Sequence, residues 1–246
     1  MKISEDELEI FGRQLILKDF NEKSFIALQN KVVSIIGMGG IGCPLAQYLI
    51  SSGIKNLNIF DDDIIKKNNL NRQTLYGFKE IGLKKIKVAK KKLVEVNPYS
   101  NIKAYDKRMM GNNLNLLENS SIIIDASDNW ETMRAINKYS TKKNIPLLST
   151  SAVGFDIQII LFKNNKNNHL CLECVFPNKK EPVLARCDTV GILGTTAGLA
   201  GIISAQKTIN FFMNFNKLND NITLIDTKTL SITDIKISTN IDCKLQ

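Results

Sequence analysis

The sequence predicts an α/β fold: a mostly parallel sheet with helices on both faces, extended by antiparallel strands in its C-terminal part. Three observations carry that expectation. Short apolar runs rich in branched residues alternate with helical patterns as far as Thr150, as in a parallel sheet whose two faces are covered. Beyond that point the alternation stops, and a longer strand, Phe155 to Phe162, has no helix behind it. Finally, Ile222 to Asp226 and Leu230 to Ile237 flank Thr227-Lys228-Thr229 and read as a hairpin.

In chain order, residues 4 to 17 form a helical pattern opened by a capping box, Ser4 with Glu7 three places on. Val32 to Ile36 reads as a buried strand. It ends in Gly37-Met38-Gly39-Gly40-Ile41-Gly42, and a helical pattern from Pro44 to Ser52 follows. Leu57 to Phe60 is the next strand and runs into Asp61, Asp62 and Asp63, which open an irregular polar segment reaching Gly77. Lys84 to Val96 is helical, with Ile86, Ala89, Leu93 and Val96 on one face. It stops at Asn97-Pro98, because proline disfavours helical geometry in the residue before it. Ile102 to Tyr105 is a short strand, Leu114 to Leu117 a small helix, and Ser121 to Asp125 another buried strand. A helix from Trp130 to Lys143 and a strand from Pro146 to Thr150 complete the alternating part. Later come a polar turn at Asn164 to Asn168, an irregular cysteine-bearing insert at His169 to Asp188, and a helix from Gly191 to about Asn214 rich in small residues. With no repeat and no long linker, the chain reads as one domain over residues 1–246: a helical arm (1–30), a nucleotide-binding half (31–150) and an antiparallel half (151–246) holding the insert at 169–188.

The 246 residues suffice for one proper core, and the supply of Leu, Ile, Val and Phe argues against disorder. The formal charge of +9 invites a nucleic-acid reading, but no aromatic-plus-basic stripe accompanies the lysines, and a polyphosphate ligand or acidic partner accounts for such charge equally well. The acidic N-terminus, MKISEDELEIF, lacks the basic start and apolar core of a secretion signal, and Gly191 to Ala205 is too short for a membrane span. Five cysteines, two of them spaced C-x-x-C, suggest metal or sulfur chemistry in a reducing compartment. A cytoplasmic protein without nucleic-acid or membrane partners is expected.

The chemistry gathers around the glycine turn. Strand, glycines, helix is the context in which backbone N–H groups cradle a phosphate, helped by the partial positive charge of a helix N-terminus. Asp61, nineteen residues after Gly42, stands where a Rossmann-like fold places its ribose-binding acid. Open α/β sheets bind ligands at the C-terminal ends of their strands, which selects Gly37, Gly39, Gly40, Gly42, Asp61, Asp63, Asn68, Asn69, Arg72, Gln73, Lys85, Asp128 and Asn129 as the nucleotide-binding set. Glycine N–H groups, cations and a carboxylate for Mg²⁺ are what a triphosphate needs. An NAD-dependent oxidoreductase shares the glycine fingerprint. However, His169 is the only histidine, and Arg72 adds more phosphate-directed charge than a dinucleotide requires. The same scarcity of histidine disfavours a Ser-His-Asp hydrolase. A non-catalytic nucleotide-binding scaffold is the remaining alternative.

GMGGIG, IFDDD, NNLNRQTL, the lysine helix ending in VNP, and DASDN, in this order, resemble the ThiF/MoeB/HesA family of enzymes that activate ubiquitin-like sulfur carriers. The likeness runs from Phe11-Gly12-Arg13-Gln14 to the C-terminal hairpin, and SAVGF with FPNKKEPVLARC looks closer to the ThiF branch. The resemblance implies ATP-dependent adenylation of a carrier's C-terminal glycine carboxylate. The carrier would be ThiS-like, serving thiamine thiazole synthesis, or alternatively MoaD-like, with a sulfur donor such as a cysteine desulfurase as a further partner. It also implies roles: Asp61 for the ribose, Gly40 close to the nucleotide, Arg72 and Lys85 on the phosphates, and Asp128 on Mg²⁺. Arg13 would reach the site of a neighbouring subunit, which makes the protein a homodimer. Cys171-x-x-Cys174 resembles half of the family's structural zinc site. The C-terminal half offers Cys243 alone, so that either His169 or water completes the four ligands or the metal has been lost. Cys187 stands where ThiF-like proteins carry a cysteine able to form a sulfur-linked conjugate with the carrier. Cys43, at the helix start, reads as packing.

Overall fold

The computed structural model describes residues 3–164, 170–177, 191–215, 221–237 and 243. Two helices form the N-terminal arm, α1 (Glu5–Leu15) and α2 (Glu22–Gln29), and then come β1 (Val32–Ile36), α3 (Gly42–Ser51) and β2 (Asn56–Phe60). After two 3₁₀ turns follow α4 (Lys85–Val96), β3 (Asn101–Tyr105), a third 3₁₀ turn (Gly111–Leu117), β4 (Ile122–Asp125), α5 (Trp130–Lys143) and β5 (Leu147–Val153). The remainder is β6 (Asp156–Phe162), the one-turn α6 (Leu172–Val175), the long α7 (Gly194–Met213), β7 (Asn221–Asp226) and β8 (Ser231–Lys236).

All eight strands form one sheet in the order β3-β2-β1-β4-β5-β6-β7-β8. The pairings from β3 across to β5 are parallel, and those from β5 outward to β8 are antiparallel. The apolar strings of the central strands follow from burial on both faces. Successive side chains alternate between two cores. Val33, Ile35, Ile122, Ile124, Leu148, Ile157 and Ile159 point into one core with α2, α3, α4 and α7. Ile36, Ile123, Leu147, Ile160 and Phe162 point into the other, where Met133 and Ile136 of α5 meet Leu170 and Leu172.

Three differences from the sequence expectation have clear causes. The first helix stops at Leu15, and a separate α2 follows, started by Asn21, whose Oδ1 accepts the Ser24 N–H at 3.0 Å. The fifth strand runs on to Val153, because Gly154 adopts a φ of +60° and closes a tight turn that pairs Val153 with Asp156. Finally, α7 begins at Gly194, since the preceding residues pair with that turn: Gly154 N–H donates to Gly191 O at 2.9 Å. The small residues of α7 allow the expected close packing. A Cβ on Gly201 would meet Pro44 Cγ at 2.7 Å, so α7 lies directly against the start of α3 and braces the glycine turn.

Candidate functional site

The C-terminal ends of β1, β2, β3, β4 and β5 and the start of β6 open into one cavity of about 510 Å³. Its first wall is the glycine turn. Gly37 has a φ of +91°, and a Cβ there would lie 2.7 Å from Ala126 O, so only glycine fits between the ends of β1 and β4. Gly37, Gly39 and Gly40 line the cavity. Gly42 does not. It packs behind the turn, where a Cβ would strike the Gly37 carbonyl oxygen. The turn is fixed by two neighbours: Met38 N–H donates to Asp61 Oδ2 at 2.8 Å, and Tyr76 OH donates to Met38 O at 2.9 Å. Cys43 is buried in the core beside it, and burial pushes its thiol up to about 12, as expected of a packing residue.

Asp61 Oδ1 also accepts the Asp63 N–H, and Lys85 Nζ lies 2.9 Å from Asp63 Oδ2 and 3.9 Å from Asp61 Oδ2. Burial raises the Asp61 carboxyl above its ordinary range despite Lys85 beside it. At Asp63 the same upward push of burial is outweighed by the Lys85 hydrogen bond and charge, and its carboxyl is lowered. Arg72 lines the cavity with its Nη1 donating to Asn68 O at 2.8 Å and Asn71 Oδ1 at 3.1 Å. Asn68 and Asn69 do not line the cavity: Asn68 is exposed, and Asn69 Oδ1 accepts the Lys66 N–H and shapes the 3₁₀ turn that carries Arg72. Gln73 is on the wall, and its buried Oε1 has no partner among the described residues.

From β4, the loop Ala126-Ser127-Asp128-Asn129 faces the cavity. Asn129 Oδ1 caps α5 by accepting the Thr132 N–H at 2.9 Å. Asp125, beneath the loop, is fully buried; its Oδ1 accepts Ser127 N–H at 3.0 Å and Ser127 Oγ–H at 2.6 Å, and its Oδ2 has no partner among the described residues. Burial pushes this carboxyl up to about 6, helped by the charge of Asp128. The rest of the wall was not singled out from the sequence: Lys107, Arg108 and Met109 after β3, Trp130, Asp156 and Gln158, and Phe176. Applying the strand-end rule to β3 would have found Lys107 and Arg108; nothing in the local sequence points to Phe176. Arg13 is exposed on α1 and is not part of the wall.

Three of the cations gather at one end of the cavity. Lys85, Lys107 and Arg108 stand with Asp61, Asp62 and Asp63 toward β2 and β3, over an apolar floor that includes Phe60, whereas Arg72 lies between Gly40 and the start of α7. The opposite end, toward β5 and β6, is formed by Ser151, Ala152, Val153, Asp156, Ile157, Gln158, Ile192 and Phe176. The ThiF family profile matches residues 11–245. The chain belongs to the ThiF family. Among curated relatives of this ThiF family member, adenylyltransferase and sulfurtransferase MOCS3 of Drosophila virilis is 32% identical over 238 residues, 96% of this chain and 52% of that protein. The protein of the same name from Drosophila grimshawi is 34% identical over 214 residues, 86% of this chain and 47% of that one. The chain thus spans about half the length of the curated relatives it matches. Two solved structures share the fold. E. coli MccB with ATP has a TM-score of 0.83 at 19% identity, over 99% of this chain and 75% of that one. PaaA has a TM-score of 0.80 at 20% identity, over 96% of this chain and 84% of that one.

A second cluster lies next to the far end of the cavity. The sulfurs of Cys171, Cys174 and Cys243 lie within 4.8 Å of one another, with Cys171 Sγ 3.9 Å from Cys174 Sγ and 3.5 Å from Cys243 Sγ. Four sulfurs arranged tetrahedrally around zinc at about 2.3 Å are about 3.8 Å apart, so these three fit three corners of such a site. Burial and the hydrogen bond with Cys243 push the Cys171 thiol up to about 12, so this sulfur favours its protonated form unless a cation is close. His169 and Cys187, the other sulfur-chemistry candidates, lie outside the described residues.

Proposed function

We propose that the protein is an adenylyltransferase that activates the C-terminal Gly-Gly carboxylate of a ubiquitin-like sulfur carrier with ATP. The observation that carries this reading is the single cavity joining a glycine cradle and a group of cations to a branch toward β5 and β6, lined by small and apolar residues with Asp156 and Gln158. In the reaction, a carboxylate oxygen of the carrier attacks the α-phosphorus of ATP. The bond from that phosphorus to the bridging oxygen breaks, and pyrophosphate leaves with the electron pair. The nucleotide occupies the glycine end, its phosphates over the N–H groups of Gly39 and Gly40 and its ribose hydroxyls on Asp61. Both Asp61 oxygens already accept one backbone N–H, which orients the carboxylate and leaves lone pairs for the ribose. Arg72 and Lys85 stabilise the charge that builds on the phosphates, and Lys85 is aligned for this by Asp63. Mg²⁺ held at Asp128 would neutralise further charge on the triphosphate. The branch between β5 and Phe176, lined by Ser151, Ala152 and Val153, suits a chain without side chains, such as a Gly-Gly tail.

The names of the MOCS3 relatives, adenylyltransferase and sulfurtransferase, support the reaction class, as does the ATP carried by the MccB structure. The carrier is of the ThiS type in the reading the sequence suggests, where SAVGF and FPNKKEPVLARC resemble the ThiF branch; a MoaD-type carrier is the second reading, favoured by the MOCS3 relatives. Cys187 would receive the activated carrier as a sulfur-linked conjugate, and a cysteine desulfurase would supply sulfur. In a homodimer, exposed Arg13 would reach the partner's phosphates. The test is carrier-dependent ATP–pyrophosphate exchange with ThiS-type and MoaD-type carriers supplied separately. Exchange is expected with one of them, and only with its free Gly-Gly terminus. Removing one charge-stabilising group costs about 3 kcal/mol, on the order of a hundredfold in rate, so Arg72→Ala and Asp128→Ala should each lose exchange while remaining folded. Near-normal exchange in either variant would sink the assignment of roles, and no exchange with any carrier would sink the reaction.

A further inference from the structure

The aromatic end of the cavity and the thiol cluster are built on the same short helix. Cys171 immediately precedes α6 and Cys174 lies within it, and the residue after the helix is Phe176. Phe176 packs edge-on against Trp130, with ring centroids 5.6 Å apart and planes at 81°, and both residues line the cavity. α6 is docked on one face of α5, at positions four and then three residues apart. Trp130 receives Phe176, Arg134 pairs with Glu173 at 2.9 Å, and the buried Oδ1 of Asn137 accepts the Leu172 N–H at 2.9 Å. At the start of α6, Cys243 Sγ approaches Cys171 Sγ at 3.5 Å.

A four-residue helix has almost no stability of its own, so its contacts decide where it sits. Between thiols the contact to Cys243 is weak. Ligation of all three sulfurs by one zinc ion would replace it with bonds to a common centre. Trp130 in turn follows directly on Asp128 and Asn129, and Asn129 caps the helix that Trp130 begins.

We propose that Phe176 is a positioning residue through which the thiol cluster is coupled to the nucleotide cavity. Zinc at Cys171, Cys174 and Cys243 holds α6, α6 holds Phe176 against Trp130, and that contact keeps the Asp128–Asn129 loop in the arrangement that takes Mg·ATP. The inference rests on the nucleotide reading above. It adds that zinc supports ATP affinity through one named contact, beyond stapling the C-terminus.

Trp130 is the only tryptophan in the chain, so its emission reports on this contact. Mg·ATP is titrated calorimetrically into the full chain as zinc-loaded protein, after zinc removal by a chelator, and after Zn²⁺ is restored, with Trp130 emission recorded in each state. Zinc removal should change the emission and weaken ATP binding about threefold or more, both reversed by Zn²⁺. Phe176→Leu retains the three thiols and should bind zinc normally, yet it should bind ATP more weakly and lose most of the zinc-dependent emission change. If removing zinc unfolds the chain, as judged by far-ultraviolet circular dichroism, zinc-loaded Phe176→Leu decides: weaker ATP binding supports the proposal and wild-type affinity overturns it. Zinc-independent emission and affinity in the folded chain also overturn it, as does failure to bind zinc. No ATP binding by the zinc-loaded wild-type chain refutes the nucleotide reading itself, and this inference falls with it.

Discussion

Asp125→Asn should stabilise the protein at neutral pH, and the size of the effect should depend on pH. Asp125 is fully buried at the end of β4, with one carboxylate oxygen holding the Ser127 N–H and hydroxyl and the other without a partner among the described residues. Burial raises its carboxyl from 3.8 to about 6. The folded state thus holds the proton more tightly than the unfolded one. Well below pH 3.8 both states are protonated and ionisation costs nothing. As pH rises through the window from 3.8 to about 6, the folded state loses stability, and above it the loss is constant. The interval corresponds to about 3 kcal/mol. An asparagine keeps an oxygen for Ser127 and carries no charge, but its amide leaves an N–H where Oδ2 lies, at a cost of about 1 kcal/mol. The net gain at pH 7.5 is then about 2 kcal/mol. The more decisive quantity is the change in the mutational effect between pH 7.5 and pH 4. It should be about 2.5 kcal/mol and does not depend on the cost of the amide. Urea unfolding of both proteins at a series of pH values measures it. A mutational effect that stays flat across this range would refute the claim that a buried charge is held beneath the Asp128 loop.

Other expectations follow from single contacts. Glu7 is buried on α1, and although burial alone would raise its carboxyl, Lys55 at 2.6 Å together with Ser4 and Gln29 holds it down to about 2. Its contribution is fully present above pH 4.5 and disappears as pH falls through about 2. Glu7→Gln should therefore cost about 1–3 kcal/mol at pH 7, and thermal unfolding should show the two proteins converging near pH 2. Gly42→Ala would drive a methyl into the Gly37 carbonyl and should destabilise the chain by roughly 3 kcal/mol or more. Denaturant unfolding checks the stability, and calorimetry should show ATP binding lost with the turn.

Much of this protein was legible in the sequence because local physics decided it. The glycine turn, the acids ending β2, the capping box of α1 and the proline stop after α4 each depend on residues a few positions apart, and the expected elements stand within a few residues of their observed bounds. The strand-end rule likewise brought Gly37, Gly39, Gly40, Asp61, Asp63, Arg72, Gln73, Lys85, Asp128 and Asn129 to one cavity. What the sequence hid depends on contacts between distant segments. Asn68 and Asn69 resemble ligands in the primary structure, but they shape the turn that aims Arg72. Lys85 looks like a free cation within a lysine run, yet it is buried and paired with Asp63 across a separation of 22 residues. The burial of Asp125, the meeting of Cys243 with Cys171 across 72 residues, and the docking of Phe176 on Trp130 have no local signature. Local spacing determined which chemical groups this chain owns and which turn presents them. Tertiary packing decided which of those groups are solvated, paired or held in contact, because charge state and position depend on neighbours that the chain supplies only once it has folded.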